Sequence, residues 1–297
     1  GPLLFLIYIN DIVDIFPNTV SIKLYADDVK LYSNVNSDAS NDYLQEHLNR
    51  LSIWAKDWQM PISYKKCCVF SVGKKQVSTQ YSLDYHTLYV VSRVTDLGVI
   101  LNTNLKPSAH VEKLSRRAHG RASLIIKCFE SRNILLLVTA FKVYVRPILE
   151  YCSVVWNPCL IKDIDAIEGV QRRFTKRLQG MRELTYHQRL VRLGLESLEL
   201  RRLRSDLLYV YKMVFGLVRI DLCNFFVPRF NCNLRGHCYK LNLPTCNNNT
   251  RANFFSYRVI NAWNALPADE TNFSSLSAFQ NSLKPDYLVK FCKVSFI

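Results

Sequence analysis

The sequence predicts an α+β fold, with short strands and helices in the first third and a mostly helical remainder. Three observations carry this. Between Ser21 and Ser33 apolar and polar residues alternate with the period of a strand, whereas beyond Pro107 apolar residues recur three and four apart, as on one face of a helix. Charge changes at the same place. Residues 1–110 carry 10 basic and 10 acidic side chains, while residues 111–220 carry 21 basic and 10 acidic, a net of +11. Residues 221–297 carry 8 and 4.

Pro2 suits the first turn of a helix, yet Leu3–Asp14 is apolar all round, so its period leaves helix and strand open. In the next segment Ile22, Leu24 and Ala26 alternate with Lys23 and Tyr25, then Val29 and Leu31 with Lys30 and Tyr32. Two short strands joined at Asp27-Asp28, a β-hairpin, fit this pattern. Leu44, Leu48, Leu51, Ala55 and Trp58 have helical spacing behind the candidate N-caps Ser40 and Asn41. Cys67–Val72 and Tyr89–Val94 are rich in β-branched and aromatic residues and predict strands; Asp96–Leu105 predicts a strand and turn.

From Pro107 three helices are traced: by Val111, Leu114, Ala118, Ile125 and Cys128; by Ile164, Ile167, Val170, Phe174 and Leu178; and by Leu200, Leu203, Leu207, Tyr211 and Val214. Off the apolar stripes stand Arg116, Arg117 and Arg121 on the first, Arg172, Arg173, Lys176 and Arg177 on the second, and Arg201, Arg202 and Arg204 on the third. Asn224–Thr250, rich in Asn, Cys and Pro, predicts a loop, and Phe254–Leu266 a short helical unit. The divisions expected are 1–108, 109–220 and 221–297.

With 49% hydrophobic and 12% aromatic residues the chain has enough apolar surface for real cores, which argues against disorder. It opens on Gly1-Pro2 without methionine, which predicts a fragment whose upstream part is missing. Leu3–Ile9 is far short of the roughly 20 residues that cross a bilayer and lacks the flanks of a signal peptide. An intracellular location, nuclear or cytoplasmic, with no membrane partner, is the expectation. The ten cysteines are then expected as buried reduced thiols rather than disulfides, with Cys67, Cys68 and Cys152 as small apolar core residues. The net charge of +15, concentrated in the middle of the chain, points to a polyanion such as nucleic acid; a merely soluble basic helix face is the other reading.

Tyr25-Ala26-Asp27-Asp28 at a hairpin tip is the sharpest chemical signal. Nucleotidyl transfer uses hard divalent cations held by carboxylates and substrate phosphates, and two successive aspartates repel unless a cation neutralises them. Taken alone, Asp-Asp is also an ordinary turn pair.

The pair is not alone. Gly1-Pro2-Leu3-Leu4-Phe5-Leu6-Ile7-Tyr8-Ile9-Asn10-Asp11, followed by Leu24-Tyr25-Ala26-Asp27-Asp28, resembles the palm of non-LTR retrotransposon (jockey-like) reverse transcriptases. Trp58-Gln59-Met60, Ile62 and Lys66-Cys67 resemble the next palm motif, with Ser63 where the family usually has Asn. Asp96-Leu97-Gly98-Val99, Leu105 and His110-Val111 resemble the primer grip. Arg146 to Tyr151 with Trp156, Ile167 to Phe174, Tyr186-x-x-Arg189-Leu190, Leu198 to Arg202, Phe255 with Arg258, and Trp263 to Pro267 resemble the thumb and the C-terminal region beyond it.

The resemblance implies a truncated reverse-transcriptase palm followed by a mostly helical thumb and C-terminal region. It implies RNA-directed DNA polymerisation, with an RNA template, a DNA primer and deoxynucleoside triphosphates as partners and Mg²⁺ or Mn²⁺ as cofactor. Asp27 is then the metal-binding catalytic residue, with Asp28 supporting it. Tyr25, Ala26 and Lys66 line the nucleotide, Lys66 near its phosphates; as an isolated residue Lys66 is equally an ordinary surface lysine. Arg116, Arg117, Arg121, Arg172, Arg173, Lys176 and Arg177 are the phosphate-contact candidates, or else a solvated helix face. The family's palm also needs an aspartate upstream of residue 1, so this polypeptide alone is expected to be nearly inactive. Two rival readings stand beside this one: a non-catalytic nucleic-acid-binding remnant of a decayed element, and a helical protein-interaction module.

Zinc is not expected. Cys223, Cys232, His237, Cys238 and Cys246 lack the close Cys pairs of structural zinc sites. His110, His119 and His187 have no nucleophile pattern beside them that indicates hydrolysis.

Overall fold

In the computed structural model, which describes residues 1–16, 20–34, 38–73, 79–229 and 236–294, the first apolar run is a helix, α1 (Pro2–Asn10), continued by a 3-10 turn over Asp11–Ile15. Then come β1 (Ser21–Tyr25), β2 (Asp28–Tyr32), α2 (Asp38–Asp57), β3 (Cys68–Phe70), β4 (Ser82–Leu83), β5 (His86–Thr87), β6 (Tyr89–Val91), β7 (Arg93–Asp96) and β8 (Val99–Asn102). A run of helices comes next: α3 (Ser108–Cys128), α4 (Ile134–Tyr144), α5 (Arg146–Glu150), α6 (Ser153–Trp156), α7 (Ile161–Lys176), α8 (Tyr186–Leu193) and α9 (Leu198–Val214). The chain ends with β9 (Val227–Pro228), β10 (Leu241–Asn242), α10 (Asn249–Ala252), α11 (Phe255–Arg258), α12 (Ile260–Asn264), α13 (Leu276–Ser282) and α14 (Pro285–Leu288). The protein is a mixed α+β structure. Among the described residues no helix is long and apolar enough to cross a membrane.

Two compact units divide the chain. The first is Gly1–Thr95 with Asn102–Leu105; the second is Asp96–Leu101 with Lys106–Ile297. The boundary falls within β7 and β8.

In the first unit β1 and β2 pair antiparallel, β3 and β6 parallel, and β4 and β5 antiparallel. Its core gathers Ile9, Ile12, Leu48, Leu51, Trp54, Ala55, Tyr81 and Leu83. Helix α2 starts at Asp38, so Ser40 and Asn41 lie in its first turn rather than ahead of it, and their side chains fall outside the described residues. Only Ile9 of α1 is buried; Leu3, Leu4 and Ile7 are more than half exposed.

One buried group there predicts a pH dependence. His47 is 2% exposed, meets Phe16 edge-on, and neither ring nitrogen has a hydrogen-bond partner among the described residues. Burial first, and the charge of Arg50 second, hold its pKa below the ordinary 6.5, so the folded unit keeps it neutral. The unfolded chain then binds the extra proton. His47's contribution to stability is therefore intact above about 6.5 and shrinks as the pH falls towards the depressed folded value. His47→Leu is expected to stabilise the unit by about 1–3 kcal/mol, by removing unpaired buried polar atoms. It should also flatten the loss of thermal stability between about pH 7.5 and 5.5, the range that brackets the ordinary histidine pKa; an unchanged pH profile would refute the assignment.

The second unit holds two apolar cores. One is built on Val111, Leu114, Phe141, Leu149, Ile167 and Phe174, the other on Leu207, Val210, Trp263, Phe279, Leu283 and Leu288. Helix α9 is packed by α6, α7, α13 and α14. This crowding corrects one expectation. Arg202, assigned by the spacing to a polar face, is 1% exposed and donates from Nε to Asn157 Oδ1 at 3.0 Å. A single apolar stripe describes a helix with one buried side; α9 is covered on several.

The cysteines need a second correction. All nine described cysteines are free thiols and none is buried: Cys68, Cys128, Cys152, Cys223 and Cys238 are exposed, and Cys67 is half-buried. Cys152 sits at φ +54 in the link between α5 and α6, and Cys68 takes the outward position at the start of β3. Cys232 lies outside the described residues.

Candidate functional site: an aspartate hairpin and a basic two-helix groove

In the first unit the register Ser21↔Tyr32 through Tyr25↔Asp28 leaves Ala26 and Asp27 as the two-residue loop. The alternation then sorts the side chains. Ile22, Leu24, Val29 and Leu31 pack against the core, while Tyr25, Asp27 and Asp28 stand exposed at the tip, Tyr25 at 66%. Ala26 adopts φ +52, a left-handed conformation that tight hairpin loops require and that costs a residue with a Cβ about 1–2 kcal/mol.

Among the described residues no ion pair or side-chain hydrogen bond engages the Asp27 or Asp28 carboxylate, so their oxygens are uncommitted. As hard donors they suit a hard divalent cation. The fit is partial, because no group of three or more His, Cys, Asp or Glu able to hold a metal occurs among the described residues. Lys66 ends a short 3-10 turn, Tyr64–Lys66, and is exposed. It forms no ion pair with Asp27 or Asp28.

Of the primer-grip-like residues, Asp96 to Val99 and His110-Val111 belong to the second unit and Leu105 to the first. Leu97 (φ +43) and Gly98 (φ +83) make the turn between β7 and β8, and the Tyr151 hydroxyl donates to Leu97 O at 3.0 Å. A Cβ on Gly98 would lie 3.5 Å from the Tyr151 ring, so steric room remains but the backbone conformation favours glycine. The Ile100 amide donates to His110 Nδ1 at 3.2 Å, and the His110 ring lies 5.2 Å from that of Trp156. Burial, with Lys113 next, lowers the His110 pKa, which suits a neutral, accepting Nδ1.

The thumb-like motifs are mostly internal fastenings. Glu168, fully buried, accepts from the Leu198 amide at 2.9 Å and from the Tyr186 hydroxyl; Gln171 donates to that hydroxyl and to Glu196 O. Arg189, 4% exposed, donates to Leu184 O at 2.7 Å and to Thr175 Oγ1 at 3.2 Å. Arg201 is bound to Glu150, and Arg204 meets Glu196 at 3.0 Å. The last two arginines are committed to carboxylates of their own chain. Sequence reasoning missed the buried carboxylate Asp206 altogether, and it named Glu168 only within the thumb-like stretch Ile167 to Phe174, without a role.

The seven phosphate-contact candidates separate into groups. On α3, Glu112, Arg116, His119 and Ser123 have the spacing of one helix stripe, and Arg117, Arg121 and Leu124 that of another. Arg173 on α7 and Arg177, the residue that caps its C-terminus, share a stripe with Ala166. His119 and Ser123 of the first stripe, with Ala122, line a narrow crevice with Val170, Arg173, Phe174 and Arg177. Burial, then the charge of Arg173, lowers the His119 pKa. Arg177 also lines an adjoining cavity of about 380 Å³ with Ile126, Arg132, Leu137, Leu178 and Gln179.

The crevice and cavity thus carry Arg173, Arg177 and Arg132, with Arg173 and Arg177 exposed and free of acidic partners among the described residues. Arg116 shares its charge with Glu112 at 2.6 Å. Arg172 is half-buried, 3.4 Å from Asp165 and lying over the Tyr186 ring. Lys176 is exposed at the end of α7.

The reverse transcriptase (RNA-dependent DNA polymerase) family matches residues 1–101. The RNA-directed DNA polymerase from the mobile element jockey of Drosophila melanogaster is 24% identical over 191 residues, and that of Drosophila funebris 26% over 195; each alignment covers 61% of this chain and 21% of the relative. The chain thus spans about a fifth of the length of the jockey proteins. An uncharacterized protein of Caenorhabditis elegans is 24% identical over 132 residues, 43% of this chain and 67% of the relative. No solved structure matches the chain. Residues 1–101, with the aspartate hairpin among them, match the reverse transcriptase family, and over 61% of its length the chain is homologous to the RNA-directed DNA polymerases of the jockey non-LTR elements.

Proposed function

We propose that the chain acts on a template–primer duplex as part of an RNA-directed DNA polymerase. In this reading residues of the first unit form palm elements around the aspartate hairpin, and the basic helices of the second unit act as a thumb. The supporting observations are, in the first unit, an exposed and uncommitted Asp27-Asp28 tip and, in the second, Arg173 and Arg177 exposed without acidic partners among the described residues.

Asp27, with Asp28 beside it, would hold Mg²⁺ or Mn²⁺. When bound, such a cation neutralises charge on phosphoryl oxygens during transfer. Tyr25 and Ala26 border that position, and Lys66 offers a cation to the triphosphate of the incoming nucleotide. Arg116, Arg173, Arg177 and Lys176 meet backbone phosphates of an RNA–DNA hybrid, which positions the duplex without reading its sequence; Arg117 and Arg121 lie on a different stripe of α3 and contribute less.

A polypeptide of residues 1–297 offers only two adjacent carboxylates at the tip, so it is expected to bind hybrid with a steep salt dependence yet extend a primer at a negligible rate. Titration of labelled hybrid against salt, beside a primer-extension assay with Mg²⁺ or Mn²⁺, tests both halves. Salt-insensitive binding overturns the duplex reading, and extension at ordinary polymerase rates overturns the view that the tip alone is insufficient.

A further inference from the structure

A further surface feature of the first unit is an aromatic stack. The Tyr64 ring packs against the core, and the imidazole of His86 stacks on it almost parallel, with centroids 4.2 Å apart and planes at 6°. His86 is exposed, and no other ring contact to it occurs among the described residues. The stack therefore runs from core to tyrosine to imidazole and stops at solvent.

Local backbone geometry holds it there. β4 and β5 pair Leu83 with His86 around the two-residue turn Asp84-Tyr85, with Asp84 at φ +58. Leu83, 2% exposed, anchors the hairpin in the core, and Asp84 is tied to Lys56 at 2.9 Å. Tyr85, at the turn, is left 94% exposed. Next to Tyr64 in the chain, Lys65 and Lys66 are exposed and without ion-pair partners among the described residues. An anchored, open π-face with an exposed aromatic neighbour and two cations close in sequence is the composition of a site for unpaired bases: stacking needs only a base's face, and the lysines serve the backbone.

We infer that the Tyr64–His86 stack, with Tyr85, is a platform on which an unpaired base of a single-stranded nucleic acid stacks. This rests on the reading that the chain handles nucleic acid; the stacking residues Tyr64, Tyr85 and His86 are separate from both the aspartate tip and the α3–α7 groove, and only Lys66 is shared with the proposed nucleotide position.

The test uses the whole chain with two unpaired 12-mers, oligo-U RNA and oligo-dT DNA, each carrying one 2-aminopurine. Stacking quenches the probe. His86→Ala is expected to lower affinity about tenfold and relieve the quench, Tyr85→Ala to lower it less, and His86→Phe to retain both. The slope of affinity against salt should stay unchanged in these variants and fall in Lys65→Ala/Lys66→Ala. A loss confined to the RNA probe assigns the base to a template; an equal loss with both probes assigns it to any unpaired strand. Parental affinity and quench in His86→Ala, or no binding of either probe by the parent chain, overturns the inference. Binding of RNA–DNA hybrid, measured in the same variants, reports separately on the duplex reading and is expected to be unaffected.

Discussion

Asp206→Ala is expected to destabilise the second unit by about 3–5 kcal/mol, the usual cost of stripping one partner from a buried ion pair. Asp206 is 1% exposed and takes a two-pronged grip from Arg258, Nε at 2.9 Å and Nη2 at 3.0 Å, with Asn157 Nδ2 at 3.1 Å. Arg258 also donates to Val154 O at 2.7 Å, so one side chain ties α11 to α9 and to the α6 segment. Burial pushes the Asp206 carboxyl up from its ordinary range, and the Arg258 charge and hydrogen bonds pull it back.

Removing the carboxylate leaves Arg258 without its counter-ion and deprives buried Arg202 of a nearby negative charge. Arg202 is already short of partners: burial lowers its pKa, and its two terminal nitrogens have no hydrogen bond among the described residues. The expected signature is a lower urea midpoint at unchanged slope. In Asp206→Leu/Arg258→Met, which removes both charges and keeps volume, most of the loss should be recovered. A single-variant effect under about 1 kcal/mol, or a double variant as damaging as the two single losses combined, would show that the pair is not coupled as described.

The largest functional effect is expected from Arg173→Glu/Arg177→Glu. Each phosphate contact contributes about 0.9 to the slope of log affinity against log salt, which at about 0.1 M salt is roughly tenfold in affinity. Losing two such contacts should lower hybrid affinity about a hundredfold or more near that salt concentration and cut the slope by about 2. The reversed charges add repulsion to the loss. Arg117→Glu/Arg121→Glu carries the same change of net charge on the other stripe of α3 and is the control. If both pairs have the same effect, general electrostatic attraction explains the binding and the groove has no special standing. If only the α7 pair matters, the crevice with His119 and Ser123 marks the duplex track.

Local chemistry was legible in the sequence wherever a pattern is short and one-sided. The hairpin was readable because residues of one face alternate on either side of the turn, but the pattern joined the strands at Asp27-Asp28, whereas the register puts the loop at Ala26-Asp27 with Asp28 opening β2. Helices α3 and α7 were readable because each buries one stripe and exposes the rest. The order of the family-like motifs likewise needed no structure.

The features that stayed open in the sequence were settled by packing between distant segments. Helix α1 is apolar on every side, so no periodicity distinguishes helix from strand there. Arg202 and Arg189 look like surface cations until α9 and α8 are surrounded by their neighbours. Cysteine composition argues for burial, but whether Cys68 or Cys152 is covered depends on the strand and turn that carry it. Of seven basic candidates, the sequence could name the type but not the partner: Arg116 is shared with Glu112, Arg172 with Asp165 and Tyr186, and Arg173 and Arg177 with no acidic group among the described residues. The sequence by itself determined the fold class, the family and the acidic tip, because those depend on residue type and near-neighbour spacing. Only the tertiary structure decided which cations are spent holding the protein together and which remain for a ligand, because ion pairing depends on distances between residues far apart in the chain.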